Sequence, residues 1–251
     1  TGLWPHEPVS FEGKRVAVIG TGSSGIQAIP EIAKTAAHVT VLQRTAQYAF
    51  PAGNRPVTPE DMAEARRNWD DTKAMMIAHP GGFPHKGNAL AALDYTPEER
   101  EAHYEKLWER GSFKFFLDGY NDVATSEEAN ASLANFVKKK IRQVVRDPKT
   151  ADKLMPDHYV MTKRPILEDG YFETYNRDNV TLVDLREDPI ERFTKTSVIT
   201  RSGEHPIDML VLATGFDAIS GSMLRLNPKG RGGESLAERW KERFHNYLGL
   251  M

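Results

Sequence analysis

Two short apolar runs, RVAVI at residues 15–19 and HVTVLQ at 38–43, flank a segment whose apolar positions recur at helical spacing. The runs predict strands, residues 26–36 predict a helix, and GTGSSG at 20–25 predicts a tight turn joining the first strand to that helix. From Pro51 to Pro59 a Pro/Gly-rich stretch breaks this rhythm. Thr58-Pro59 then predicts a helix start, with the helix running to about His79 and stopping at Pro80-Gly81-Gly82. Thr96 and Glu99 have the spacing of a capping box, opening a helix that Gly111 should end. A third helix is expected over residues 126–146, with Leu133, Val137, Ile141 and Val144 on one face and the lysines 138–140 solvated opposite. The strand pattern resumes at 179–184, continues as one or two hairpin strands over 190–201 before a Ser202-Gly203 turn, and ends at 207–213. That last run is continuously apolar, as expected of a strand buried on both faces. A loop at 230–233 and an amphipathic helix at 235–245 follow.

Strand, GxGxxG and helix in that order form the dinucleotide-binding fingerprint. Gly20 permits the sharp turn, Gly22 lets the backbone approach a pyrophosphate, and Gly25 lets the helix lie close to the strand. Thr21, Gly22, Ser23 and Ser24 are candidates to hold the pyrophosphate through backbone N–H groups and hydroxyls, since a helix start presents unpaired amides and a positive dipole end. Gln27, one turn further, is a candidate contact and equally an ordinary surface residue of the helix. An NAD site usually places an acid at the end of the second strand; here stand Gln43-Arg44-Thr45. A guanidinium suits bidentate contact with a 2′-phosphate and a neighbouring hydroxyl can add a bond, which points to NADP(H) over NAD(H). The alternative for Arg44 is a solvated cation at a strand end.

The expected fold is therefore α/β: a Rossmann-like NADP-binding domain, a parallel sheet with a β-meander, carrying a mostly helical insertion. The division expected is a linker at 1–13, the Rossmann-like domain at 14–50 and 159–220, the insertion at 51–158, and a C-terminal loop and helix at 221–251. At 251 residues with net charge −2, the chain carries no global field for nucleic acid or an anionic membrane. No apolar run has the length of a membrane span and no secretory signal is visible. The chain has no cysteine, which removes disulfides, thiolate catalysis and Cys-based metal sites. A cytoplasmic protein without a metal is the expectation. His79 and His85 straddle a Pro/Gly turn without metal-ligand spacing, and the sequon at Asn130 falls inside an expected helix. The chain starts at Thr1 without a methionine and reads as a piece of a longer protein.

Several stretches together resemble one family, the Baeyer–Villiger monooxygenases. VIGTGSSGIQAIPEIA followed by VLQRT is similar to their NADPH-binding motif; TKRPILEDGYFETYNRDNV at 162–180, LVLATGFD at 210–217 and NPKGRGGESLAERW resemble further segments. Thr1, Trp4 and Pro5 match the end of the family fingerprint Phe-x-Gly-x-x-x-His-Thr-x-x-Trp-Pro. The resemblance spans nearly the whole chain but leaves out the fingerprint histidine, the FAD domain and the carboxy-terminal part that completes the substrate pocket. It implies an enzyme using NADPH, FAD and O2 to turn a ketone into an ester or lactone through a peroxyflavin, with this chain as its NADPH-binding portion, partnered by the FAD domain of the same parent and inactive alone. By the same resemblance Arg164 is the cation facing the peroxide and Lys163 the second cation for the 2′-phosphate, although composition alone makes them a plain basic pair at a loop edge. Pro165 favours an extended Arg164, so that neighbouring side chains can serve different ligands. Ala213, Thr214 and Gly215 should approach the cofactor with main-chain atoms, the alternative being a strand end with a glycine turn. Trp4 would lie at a hinge coupling cofactor position to domain rotation, or simply pack in a linker. A related N- or S-oxygenating flavin monooxygenase and a non-catalytic NADP-binding module are the rival readings.

Overall fold

The computed structural model describes residues 4–85, 89–217 and 220–246. Thr1 of the expected fingerprint match lies outside them. The chain forms two compact units, residues 1–214 and 215–251.

In the first unit, β1 (Arg15–Ile19), α1 (Ser23–Thr35) and β2 (His38–Gln43) follow one another as a strand–helix–strand crossover. The chain continues through β3 (Ala49–Pro51), α2 (Pro59–Arg67), α3 (Trp69–Ala78), α4 (Pro97–Arg110), α5 (Lys114–Leu117), α6 (Glu127–Val144) and α7 (Pro148–Lys153). After β4 (Ile166–Glu168) and α8 (Tyr171–Thr174) come β5 (Val180–Asp184), β6 (Ile190–Phe193), β7 (Ser197–Thr200), β8 (Gly203–Pro206) and β9 (Met209–Leu212). Four strands form a wholly parallel sheet in the order β5-β2-β1-β9. β6, β7 and β8 make an antiparallel meander, and β3 pairs with β4 in a separate two-stranded parallel ladder. The α/β class with parallel sheet and meander is the one expected.

Side-chain alternation along β1 decides what covers each face. Val16 and Val18 join Val39 and Val41 of β2 under Ile26, Ile29 and Ile32 of α1. Ala17 and Leu42, one residue out of phase, lie in a second cluster with Val198 and Ile207 on the meander side. Full burial of each α1 isoleucine is worth about 1.5–3 kcal/mol. The last turn of α1 is held by Asn179, whose Nδ2 donates to the carbonyls of Ala33 and Ala36 at 3.0 Å each.

The helical segment shares the core of α1. Phe50 of β3 meets Phe115 and Phe116 at ring-centroid distances of 4.7 Å, and Phe115 is fully buried. The 113–116 aromatic cluster is thus core, with Phe113 at its exposed rim. Both expected N-caps form: Thr58 with Asp61 and Thr96 with Glu99 make reciprocal capping boxes. Gly111 ends α4 at φ +65.

Four local expectations are corrected. The helix over 58–79 is two helices meeting at Asn68; neither buries a side chain, so no packed face holds them in line. β9 is not covered on both faces: it is the sheet edge, and Leu210 and Leu212 stay partly exposed. The lysine run is not simply solvated: Lys139 pairs with Glu101 and Lys140 with Glu105 of α4, and Lys140 also lies 5.7 Å from the Trp108 ring centroid. In the second unit, which contains α9 (Gly221–Leu226) and α10 (Leu236–Arg239), the helix expected over 235–245 stops at Arg239. There the indole of Trp240 donates to the His245 carbonyl at 2.6 Å and folds the chain back.

Asn130 is buried, donating to the carbonyls of Val123 and Val160 and accepting from the Val160 amide. Its side chain is wholly engaged in tying α6 to the returning chain, so the sequon is a packing residue.

Candidate dinucleotide site

The carboxyl end of a parallel sheet is where ligands of such folds bind, because the strands stop and the helices begin there. β1 ends at Ile19 and the chain turns at Gly20, whose φ is +104. A Cβ there would collide with the Ala213 carbonyl, and a Cβ at Gly25 would overlap the Gly20 carbonyl oxygen. Both positions therefore demand glycine for space. Gly22 differs: a Cβ added there meets nothing within 4 Å. Open space beside the backbone at this one glycine is what a ligand approaching the main chain requires.

α1 begins at Ser23, earlier than the expected residue 26, so the serines belong to its first turn. Gly22 caps it without a side-chain hydrogen bond, and its first turn contains no acid. Among the described residues the amides of Ser23, Ser24 and Gly25 have no acceptor, and both serine side chains are exposed. Three free amides at the positive end of a 13-residue helix suit an anion. Thr21 is corrected in one respect: it is buried and its hydroxyl donates to the Thr45 carbonyl at 3.0 Å. That hydroxyl ties the turn to the end of β2 instead of facing solvent.

Arg44 and Thr45 follow β2 directly, Arg44 exposed and Thr45 half-buried. Among the described residues the Arg44 guanidinium has no hydrogen-bonding or ion-pair partner. Lys163 and Arg164 are likewise exposed and unpartnered, just ahead of β4. They follow a turn in which Met161 has φ +73 and Thr162 donates through its hydroxyl to the Tyr159 carbonyl at 2.7 Å. β4 is fixed beside β3, and Gln27 of α1 donates its side-chain amide to the Leu167 carbonyl at 3.2 Å. Gln27 thus braces α1 against β4, close to the surface-residue alternative. The Ala213 amide donates to the Ile19 carbonyl at 2.8 Å, which puts Ala213 and Thr214 alongside the glycine turn. Gly215, first residue of the second unit, has φ +89. Trp4, half exposed, packs on Phe11 with ring centroids 6.4 Å apart.

Two residues that the sequence did not single out support this edge. Arg186, two residues beyond β5, donates through Nε to the Arg44 carbonyl at 2.8 Å and pairs through Nη1 with Asp157 at 2.6 Å. The guanidinium holds the Asp157 carboxyl below its ordinary range. No sequence signal marked them: Arg186 lies near the residue past β2 because β5 neighbours β2 in parallel, a pairing only the sheet order reveals.

Glu168, at the end of β4, is buried and accepts from the Tyr171 amide at 2.7 Å. Burial pushes its carboxyl up from 4.5 to about 7, with smaller contributions of the same sign from Glu173 and Asp169. The native state therefore holds a proton that the unfolded chain releases earlier. This contribution to stability is complete below about pH 4.5 and is lost as pH rises through about 7. Glu168→Gln should remove that slope, gaining up to about 3 kcal/mol over the wild type between pH 5 and pH 8. Urea denaturation of both proteins at the two pH values reads it, and parallel pH dependences would refute it.

Among the described residues no group of three or more histidines and acids is placed to hold a metal, and no helix is long and apolar enough to cross a membrane. No protein-family profile matches the chain. Over its whole length, however, it is homologous to flavin monooxygenases. It is 44% identical over 253 residues to a Baeyer–Villiger monooxygenase of Pseudooceanicola batsensis, covering 100% of this chain and 46% of that protein. It is also 44% identical over 256 residues to a phenazine N-monooxygenase of Lysobacter antibioticus, again covering 100% and 46%. Among solved structures, an oxidized steroid monooxygenase bound to NADP matches with TM-score 0.91 at 46% identity, over 98% of this chain and 47% of that one. OTEMO in complex with FAD and NADP matches with TM-score 0.93 at 39% identity, over 98% and 47%. The chain thus spans about half the length of the relatives it matches.

Proposed function

We propose that this chain is the NADPH-binding portion of an FAD-dependent Baeyer–Villiger monooxygenase, which inserts one oxygen of O2 into a ketone to give an ester or lactone. The observation that carries the reading is the convergence, at the carboxyl end of the sheet, of an acid-free helix start with unpaired amides and an unpartnered arginine where an NAD site would have a carboxylate. In this reading Ser23, Ser24 and Gly25 donate their amides to the pyrophosphate, with Gly20, Thr21 and Gly22 shaping the approach. Arg44, Thr45 and Lys163 hold the 2′-phosphate. Ala213, Thr214 and Gly215 lend main-chain atoms, Gln27 braces α1, and Trp4 lies in the linker leading to the FAD domain. NADPH supplies a hydride and FAD the activation of oxygen when they are bound. Arg164 contributes a fixed positive charge where negative charge develops on the reacting oxygen, and a guanidinium stays protonated at any working pH. The division into linker, Rossmann-like domain, insertion and C-terminal segment belongs to the same proposal, as does a cytoplasmic location.

Calorimetric titration of the full-length protein tests the cofactor assignment. Arg44→Ala should weaken NADPH binding about tenfold or more and leave NADH binding within about twofold, because only NADPH carries the lost contact. Equal losses would end the Arg44 assignment. The phenazine N-monooxygenase at 44% identity favours one rival, oxygenation of nitrogen. Product analysis with a cyclic ketone and with a phenazine separates the two: a lactone supports the proposal, an N-oxide alone the rival.

A further inference from the structure

Three consecutive carbonyls at the end of β2 are each gripped from outside it, two by the residues just past β5 and one by the glycine turn. The Gln43 carbonyl accepts from the Leu185 amide at 2.7 Å, the Arg44 carbonyl from Arg186 Nε at 2.8 Å, and the Thr45 carbonyl from the Thr21 hydroxyl at 3.0 Å. The Gln43 side chain is buried and donates to the Lys153 carbonyl at 2.7 Å. The backbone of Arg44 is thereby fixed while its guanidinium stays unpartnered.

Of these grips, the one on Arg44 itself is made by a side chain that is itself anchored. The outer edge of the Arg186 guanidinium meets both Asp157 oxygens, Nη1 at 2.6 Å and Nη2 at 3.4 Å, and its own amide donates to Asp184 Oδ1 at 2.9 Å. One planar group thus spans from the loop after α7 to the residue after β2. A lysine could reach one of these acceptors but has no fork to hold both. Asp157 also offsets the charge of Arg186, so the pair adds little net field at the site.

We propose that Arg186, anchored by Asp157, is a positioning residue that sets the preference for NADPH over NADH by fixing the backbone from which Arg44 reaches the 2′-phosphate. This rests on the assignment of Arg44 above. A fixed backbone leaves only the side-chain rotamers of Arg44 to be ordered on binding, which raises affinity for the ligand that uses that side chain and for no other.

The experiment measures dissociation constants for NADPH and NADH on the full-length protein and on Arg186→Ala, Asp157→Asn and Arg44→Ala. Arg186→Ala should weaken NADPH binding about tenfold, the loss of one charge-assisted hydrogen bond, with NADH unchanged within about twofold. Asp157→Asn should shift the ratio the same way by a smaller factor. Retained NADH binding shows that each variant is folded. Equal weakening for both cofactors would mean that Arg186 is merely structural and would overturn the proposal. Tighter NADPH binding by Asp157→Asn would also overturn it, since a released Arg186 would then be touching the phosphate directly. If Arg44→Ala removes the preference and Arg186→Ala does not, only the positioning role falls. If Arg44→Ala leaves the preference intact, the underlying assignment falls and this inference with it.

Discussion

Gly25→Ala is expected to lower the unfolding free energy by about 1–3 kcal/mol and to abolish dinucleotide binding. The added methyl would overlap the Gly20 carbonyl oxygen, with the carbonyl carbon at 3.0 Å behind it. Both obstacles are backbone, so no rotamer relieves the clash. Either the glycine turn opens or α1 lifts off β1, and the second route strips Ile26 and Ile29 from the valines beneath them. Gly22→Ala is the matched control. Its methyl enters open space and φ at Gly22 is −82, so stability should change by less than about 0.5 kcal/mol. The same methyl stands where a pyrophosphate would approach the main chain, so binding should still weaken. Urea unfolding together with NADPH titration separates the two glycines. A stable Gly25→Ala protein that binds normally would show that the close approach of α1 to β1 is dispensable.

Arg164→Ala in the full-length protein should lower ester formation by about 10²–10³ while NADPH affinity stays within about twofold. Arg164 is exposed, has no partner among the described residues, and stands two residues before β4, whose ladder with β3 anchors the chain from Ile166 onward. A charge held this way is available to a developing negative charge without first breaking an ion pair. Lys163, one residue earlier, serves as the comparison: Lys163→Ala should weaken NADPH binding and spare turnover at saturating cofactor. Rates of ester formation, followed by gas chromatography at saturating NADPH, give the answer. Ester formation at the wild-type rate in Arg164→Ala would remove this residue from the chemistry.

How much of this was legible in advance varied with the range of the forces involved. β1 and β2 fall on the residues that the apolar runs marked, because a buried parallel strand leaves little but apolar residues to choose from. The Thr58 cap and the Thr96 capping box were equally plain, being local chemistry at fixed spacing, although the reciprocal bond from Asp61 at Thr58 appeared only in the structure. The exposure of β9 was not, since an edge strand and a central one share the same apolar run and only the sheet order distinguishes them. The pairing of Lys139 and Lys140 with α4 was hidden for a related reason: a charge run looks solvated until the neighbouring helix supplies its acids. At the candidate site, the glycines and Arg44 could be picked out by motif and residue type, whereas Lys163 and Arg164 were marked only by the family resemblance. The inward turn of the Thr21 hydroxyl and the Arg186–Asp157 pair depended on which strands become neighbours.

The ladder between β3 and β4 has a further consequence. Only three residue pairs, Ala49 with Ile166, Phe50 with Leu167 and Pro51 with Glu168, close an excursion of roughly a hundred residues. Because the entropy of closing so long a loop grows only with the logarithm of its length, and α2 and α3 bury no side chain, adding or deleting residues within α2 and α3 changes stability little, whereas α4 and α6 belong to the core. α2 and α3 are therefore a region in which insertions, deletions and exchanged segments can accumulate while the basic pair re-enters at the same point. A lineage, or a designer, can reshape this part of the molecule without disturbing the core or the point at which the chain returns to β4.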